Sequence, residues 1–213
     1  MTAEVKVVLG IGAAAVILAF GVFLMSSSNT QISSAKADPK LLIKDQSHKI
    51  ASDSAKVTVV EFGDYQCPAC AQAHPIVKKV LVDYQGKINF VFRNFPLPQH
   101  KNGSAAAEAA EAAGTQGKFW EMYNKLYETQ NSWAELGDPT QIFVQYAKDL
   151  QLDSEKFEQD LIANKYADII NSDKADGIAL GVNSTPTFFI NGEKVASVLT
   201  YQEFKTKIDQ LLK

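Results

Sequence analysis

The pattern of apolar and polar positions divides most of the chain into a β–α–β half, a helical block and a β–β–α half. The apolar, β-branched run Val57–Phe62 and the alternating run Lys87–Arg93 predict two strands. Helical spacing over Ala71–Val82 predicts a crossover helix between them. A crossover of this kind is right-handed and makes the two strands parallel.

Residues 102–181 are predicted to be almost entirely helical. Asp138-Pro139 predicts the start of a helix over Thr140–Leu150, and Asp153 the start of the next one. Gly181 predicts the end of the block. One helix carries an aromatic stripe on a single face, which we interpret as core rather than as a ligand site. The stripe comprises Phe119, Trp120, Tyr123, Leu126 and Tyr127.

The β pattern returns near the C-terminus. Strands over Thr187–Ile190 and Glu193–Ala196 flank Asn191-Gly192, a dipeptide typical of a type I′ hairpin turn. The sequence Thr200-x-x-Glu203 is a capping box and predicts the start of the last helix. The positions predicted to face inward on that helix are Phe204, Ile208, Leu211 and Leu212.

The N-terminal region has a different pattern, because Val7–Met25 contains no charged residue. At about 1.5 Å per residue, this run matches the roughly 30 Å hydrocarbon core of a membrane. We therefore expect a transmembrane anchor within residues 1–25, a flexible linker over residues 26–40 and a folded domain over residues 41–213. A cleaved signal peptide is the alternative, since residues 35–37 resemble a cleavage site.

The first residues of the folded domain are interpreted as a short entry segment at 41–43 and a loop over 47–54. Orientation in the membrane is weakly marked, since Glu4 offsets Lys6. The amino terminus and Lys6 nevertheless predict a cytoplasmic N-terminus. The domain is then expected outside the cytoplasm, at the cell surface or in the periplasm.

Composition agrees with a globular domain and limits the function. The chain is 46% hydrophobic and 21% charged, with a formal net charge of −3. Mild acidity without a basic stripe argues against nucleic acid as a partner. Only two cysteines are present, so a structural disulfide would consume both of them.

Those cysteines form the segment Cys67-Pro68-Ala69-Cys70, directly after the first strand and at the start of the crossover helix. A helix N-terminus stabilises a thiolate through its unpaired N–H groups and its dipole. The layout is typical of a thiol–disulfide redox site, with Cys67 as the exposed attacking thiolate and Cys70 as the resolving thiol.

A redox dithiol has two alternatives. The cysteines could be ordinary core residues, or they could bind zinc with His74 as a third ligand. Their position at a strand–helix junction disfavours the first alternative, and the absence of a second cysteine pair disfavours the second. We expect no metal and no cofactor.

Several segments resemble the DsbA-like thiol–disulfide oxidoreductases, which have a thioredoxin fold with a helical insertion. The first is Val59–Cys70, and the others cover residues 94–98, 112–120 and 181–192. The resemblance extends over residues 45–213 and is closest to the membrane-anchored branch of that family. It implies an α/β thioredoxin fold with a helical insertion at about 102–181, here preceded by a transmembrane helix.

The resemblance also implies roles for individual residues. Thr185-Pro186 matches the family's cis-proline, which faces the cysteines and pairs with substrate backbone. Pro68, Ala69 and Thr185 are the expected substrate-binding positions, and Pro186 is grouped with the catalytic ones. Glu61 matches a buried acid, which we expect to relay a proton to or from Cys70. A surface-facing strand position is the alternative for Glu61.

The expected function is introduction of disulfides into exported proteins with free thiols. The family implies a quinone-linked membrane oxidase as the partner that reoxidises the pair. The dipeptide Pro68-Ala69 departs from the Pro-His of the family's strongest oxidants, which weakens the case for the oxidising direction. A reductase or isomerase, and a non-catalytic binding or chaperone-like module, remain the alternatives.

Overall fold

The structure is a computed structural model that describes residues 36–195 and 199–213. The expected anchor at residues 1–25, most of the linker and Ala196 lie outside the described residues, so the anchor remains a prediction. Within the described ranges, no helix combines the length and the apolar character needed to cross a membrane.

A five-stranded mixed sheet, in the order β1-β3-β2-β4-β5, forms the centre of the domain. The middle strand pairs in parallel with β3 on one side and antiparallel with β4 on the other. The two short outer strands are antiparallel to their neighbours. The strands are β1 (His48–Ile50), β2 (Val57–Gly63), β3 (Ile88–Asn94), β4 (Thr187–Ile190) and β5 (Glu193–Lys194).

Helices connect the strands in the order that the sequence predicts. The crossover between β2 and β3 is confirmed, since these strands are parallel and one helix joins them. The described residues form α1 (Pro39–Leu42), α2 (Pro68–Asp83), α3 (Gly103–Thr115), α4 (Phe119–Glu128), α5 (Gln130–Trp133), α6 (Thr140–Asp149), α7 (Ser154–Ile162), α8 (Ala167–Ala179) and α9 (Tyr201–Leu212).

The predicted helix and turn signals at Asp153, Thr200 and Asn191-Gly192 are confirmed. The Asp153 carboxylate accepts a hydrogen bond from the Lys156 N–H at the start of α7. At the start of α9, the Thr200 and Glu203 side chains form both bonds of a capping box. Asn191 and Gly192 have positive φ angles of 48° and 84°, as a type I′ turn requires.

Three sequence expectations differ from the structure. The predicted loop at 47–54 contains the edge strand β1, whose three residues are too few to show an alternating pattern. The linker was predicted to continue through Lys40, but Pro39–Leu42 forms α1 and the Ala37 N–H donates to the Gly192 carbonyl at 2.8 Å. Leu211 does not face inward, because 44% of its surface is exposed.

A buried ion-pair network joins the strands to the helical block. Arg93, near the end of β3, is fully buried and donates to Asp173 at 2.7 Å and Asp176 at 2.6 Å on α8. The same guanidinium donates to the carbonyls of Leu41 and Leu42 at 2.8 Å each. Buried charges are tolerated when paired in this way. Arg93 therefore fastens both α8 and the first described segment to the sheet.

Candidate active site

The two cysteines lie where β2 is followed by α2. Cys67 is the N-cap residue of the helix, and Pro68 occupies its first position, where a missing N–H has no cost. The Cys67 N–H donates to the Asp64 carbonyl at 3.0 Å, and the Cys67 carbonyl accepts from the Ala71 N–H at 3.1 Å. Both thiols are free in the structure.

The exposure predicted for Cys67 is wrong. Only 6% of the residue is exposed, and Cys70 is completely buried. The chain before β4 covers Cys67, since the Thr185 carbonyl oxygen lies 3.3 Å from the Cys67 sulfur. Pro68 is exposed and Ala69 is half-buried, so these two residues present the site to solvent.

The environment separates the pKa values of the two thiols. A hydrogen bond from the Cys70 thiol, assisted by the N–H groups of Cys70 and Ala69, lowers the pKa of Cys67 to about 5. Burial raises the pKa of Cys70 well above its usual value, and the nearby charges of Cys67 and Glu61 act in the same direction. Near neutral pH the pair therefore consists of one thiolate and one thiol.

The segment opposite the cysteines has the expected backbone form. The Thr185–Pro186 peptide bond is cis, as the resemblance implied, and both residues are buried. The Thr185 carbonyl faces the Cys67 sulfur. The structure thus brings Cys67, Thr185 and Pro186 together from distant parts of the chain.

Glu61 lies in the middle of β2 with 1% of its surface exposed, so a surface-facing position is wrong. Burial raises the pKa of its carboxyl to about 8, because the charged form loses solvation. The Tyr123 hydroxyl donates to Glu61 Oε2 at 3.3 Å. Near neutral pH the Glu61 carboxyl is therefore mostly protonated, which is unusual for a glutamate.

Two amide side chains that sequence reasoning missed hold the cysteine loop, which comprises residues 64–67. Gln130 Nε2 donates to the carbonyls of Tyr65 at 2.7 Å and Cys67 at 3.1 Å. Gln66 accepts from the Asn102 N–H at 2.6 Å through Oε1. These partners are 36 to 65 residues apart, so no local pattern indicates them.

Asp64 is a further missed residue, and it had a local signal. Its buried carboxylate accepts from the Gln66 N–H two residues later at 2.8 Å, which is the bond of an Asx-turn. It also accepts from the Leu97 N–H at 2.8 Å and lies 2.6 Å from His100 Nδ1. Asp64 therefore ties the cysteine loop to the chain that follows β3.

The structure places His74 among aromatic rings. Its Nε2 lies 2.8 Å from the Asn124 side-chain oxygen, and its ring packs on Tyr123 and Tyr127 at 5.4 and 5.2 Å between centroids. Burial lowers the pKa of this imidazole. In the described ranges, no three His, Cys, Asp or Glu side chains come close enough together to hold a metal ion.

The amino-acid sequence matches a known family. The family model described as "Thioredoxin" matches residues 44–210, which is most of the chain. The protein therefore belongs to this thioredoxin family.

Solved structures agree with this assignment over the folded domain. A thioredoxin-like oxidoreductase from Silicibacter pomeroyi DSS-3 is 26% identical, with a TM-score of 0.68 over 82% of this chain and 97% of its own. Oxidised BdbD from Bacillus subtilis is 27% identical, with a TM-score of 0.72 over 83% and 96% of the two chains. Wolbachia pipientis alpha-DsbA1 is 25% identical, with a TM-score of 0.72 over 81% and 94%. The structural neighbours are thus DsbA-like proteins.

The curated relatives matched by sequence are named differently from these solved structures, as Na(+)/H(+) antiporters. A Na(+)/H(+) antiporter NhaA 1 from Salinispora arenicola is 42% identical over 152 residues, which is 70% of this chain and 22% of that protein. An NhaA 1 from Mycobacterium sp. (strain KMS) is 34% identical over 155 residues, or 70% and 24%. The chain spans less than a quarter of the length of these relatives.

The separated pKa values predict a thiolate at acidic pH. In the reduced protein, thiolate absorbance at 240 nm should rise with a midpoint near pH 5. Cys70→Ala removes the hydrogen bond that contributes most to this shift, so the midpoint should move up towards the ordinary thiol value of about 8.5. Cys67→Ser, which lacks the low-pKa group, is the control and should show no transition near pH 5. A wild-type midpoint near pH 8.5 would contradict the assignment.

Proposed function

We propose that this protein is a thiol–disulfide oxidase that introduces disulfides into other proteins through Cys67 and Cys70. The observation that carries the proposal is the difference between the two sulfurs. One is held as a thiolate at a helix start, and the other is kept as a buried thiol. Membership of the thioredoxin family and similarity to an oxidoreductase of 26% identity support thiol–disulfide chemistry in general.

The proposed reaction begins with the oxidised pair. A client thiolate attacks the Cys67 sulfur, so a new bond forms between client and Cys67 while the Cys67–Cys70 bond breaks. The bonding electrons leave with Cys70. A second client thiolate then attacks the client sulfur, which releases the oxidised client and leaves Cys67 as a thiolate. The client loses two electrons and the cysteine pair gains them.

Glu61 has the proton role in this scheme. The Cys70 thiolate formed in the first step is completely buried, and a buried charge is costly. With a pKa raised to about 8, the Glu61 carboxyl holds a proton near neutral pH and supplies it to Cys70. Glu61 regains a proton when the pair is reoxidised, because Cys70 must release its own proton to form the disulfide again.

Client binding is proposed at the surface beside Cys67. Pro68 and Ala69 are the accessible residues of the cysteine segment. On the opposite side, Thr185 and the cis Pro186 offer backbone for pairing with an extended client strand. In the reduced form, the Thr185 carbonyl oxygen lies 3.3 Å from the Cys67 sulfur.

The stabilised Cys67 thiolate supports the oxidising direction. Any interaction that stabilises the reduced pair makes the disulfide a stronger oxidant. The Pro68-Ala69 dipeptide lacks the histidine of the family's strongest oxidants, so the stabilisation comes from the Cys70 thiol and the helix N–H groups. The second candidate function is reduction of client disulfides. The Pro68-Ala69 dipeptide favours this candidate, because it lacks the histidine that makes the disulfide more oxidising.

We further propose that the domain is anchored to the membrane and works outside the cytoplasm. The uncharged run Val7–Met25 supports the anchor. An oxidising compartment suits the proposed reaction. The clients would be exported proteins with free thiols, and a quinone-linked membrane oxidase would return the pair to its disulfide.

Client oxidation is the direct test. We expect the oxidised full chain, mixed without oxygen with a reduced two-cysteine peptide, to transfer one disulfide per molecule. Cys67→Ser should abolish transfer, because the variant has no disulfide to give. As the matched variant, Cys70→Ala preloaded at Cys67 with an aromatic thiol should accumulate a mixed disulfide with a one-cysteine peptide, because that peptide has no second thiol to release itself. Mass spectrometry measures each product.

Two results would contradict the oxidase. If the wild-type protein binds the peptide but transfers no disulfide, it is a binding module. If it instead reduces a disulfide-containing peptide and is not reduced by dithiol peptides, it is a reductase.

The anchor has its own test. We expect the full chain to sediment with membranes and to be digested by protease added outside intact cells or spheroplasts. A variant lacking residues 1–25 and expressed without export should be soluble. A soluble exported protein whose N-terminus begins near residue 38 would contradict the anchor and indicate a cleaved signal peptide.

A further inference from the structure

The aromatic stripe on α4 carries tyrosine hydroxyl groups that packing alone does not require. Tyr123 and Tyr127 from the stripe, together with Tyr65, are 2%, 4% and 1% exposed. Phenylalanine would supply the same rings without burying a hydroxyl, which costs free energy when it lacks a hydrogen bond. The hydroxyls of Tyr65 and Tyr127 have no hydrogen-bond partner among the described residues.

Tyr123 is the exception among these three tyrosines. Its hydroxyl donates to Glu61 Oε2 at 3.3 Å, inside the core. Neighbouring rings hold it in place, with Phe92 and Tyr127 each 5.1 Å away between centroids and Tyr65 at 6.0 Å, all roughly edge-to-face. The packing of the stripe therefore aims one hydroxyl at one carboxyl.

We propose that Tyr123 is a positioning residue that orients the Glu61 carboxyl and controls the proton it exchanges with Cys70. The inference rests on the proposed function, since Glu61 has its proton role only there. It gives the aromatic stripe a purpose beyond filling the core.

The charged and titratable groups around Glu61, together with Tyr123, determine the pKa of its carboxyl. Cys67 and Cys70 face the carboxyl from α2, Tyr123 and Tyr127 from α4, and Tyr65 from the loop after β2. The neighbours of Glu61 in the sheet are Phe92 and Phe188, which carry no charge.

Among these groups, Tyr123 is the one that stabilises the charged form of Glu61. Burial raises the pKa of the carboxyl to about 8, the charge of Cys67 adds to that rise, and the Tyr123 hydrogen bond lowers it. Removing the donor leaves the carboxylate less stable. The pKa of Glu61 should then rise further.

The test is a titration of Glu61 in the reduced full chain labelled with ¹³C at the glutamate carboxyl carbon. Glu61→Gln identifies the signal. Tyr123→Phe should raise the midpoint by about one pH unit, as expected for losing one hydrogen bond to a charged group. Tyr127→Phe is the matched control, because it removes a buried hydroxyl that has no partner, and it should leave the midpoint unchanged.

The rate of client oxidation provides a second readout. Its decline at alkaline pH, where Glu61 loses its proton, should move upward in Tyr123→Phe by the same interval and stay in place in Tyr127→Phe. The inference is overturned if Tyr123→Phe titrates like the wild type. It is also overturned if both variants shift equally, since that result indicates a general change in the core.

A second modification keeps the test usable if Tyr123→Phe fails to fold. Difluorotyrosine at position 123 keeps the ring and makes the hydroxyl a stronger donor, so the titration midpoint of Glu61 should fall. A rise or no change in that midpoint would overturn the inference.

The inference and the proposed function can fail separately. If Glu61 titrates as expected but the wild-type protein oxidises no client, the proposed function fails and the contact between Tyr123 and Glu61 stands.

Discussion

The burial of Cys70 beneath the start of α2 is the constraint on which the rest of the site depends. Because this sulfur is completely enclosed, its charged form is costly, and its thiol donates to the more accessible sulfur of Cys67 instead. The helix start and the buried Cys70 thiol thus both stabilise the thiolate form of the Cys67 sulfur. A single geometric feature, a strand leading directly into a helix, separates two chemically identical side chains into a nucleophile and its proton-bearing partner.

Keeping that geometry requires polar groups inside an apolar core. Gln130 holds the backbone of the cysteine loop at Tyr65 and Cys67, and Asp64 fixes the loop to the chain after β3. Away from the cysteine loop, the ion pairs of Arg93 with Asp173 and Asp176 hold α8 against the other face of the sheet. Glu61 differs from the Arg93 partners Asp173 and Asp176, because its carboxyl has no cationic partner among the described residues. That exception is consistent with a group that exchanges a proton.

The sequence predicted the elements that are encoded locally. The strand and helix periods, the caps at Asp153 and Thr200 and the turn at residues 191–192 all depend on neighbouring residues, and the structure has each of them. The cysteine segment was located for the same reason. What the sequence did not predict depends on distant partners. Gln130 reaches Cys67 across 63 residues, and the burial of Cys67 is caused by Thr185, 118 residues away.

Short elements were also missed, because β1 has three residues and shows no period. The aromatic stripe was correctly interpreted as core, yet the direction of the Tyr123 hydroxyl depends on how four rings pack together. Pattern analysis identifies which residues are buried, but it does not assign hydrogen bonds between buried groups. Those bonds are where the proposed chemistry of this protein lies.

The central claim is that the protein stabilises its reduced pair enough to act as an oxidant. The most direct measurement is the reduction potential of the Cys67–Cys70 disulfide, obtained by equilibrating the protein with glutathione buffers of known ratio. The account predicts a value towards the roughly −120 mV end of the range for this chemistry. A value near about −270 mV would contradict it and assign the protein to the reductases.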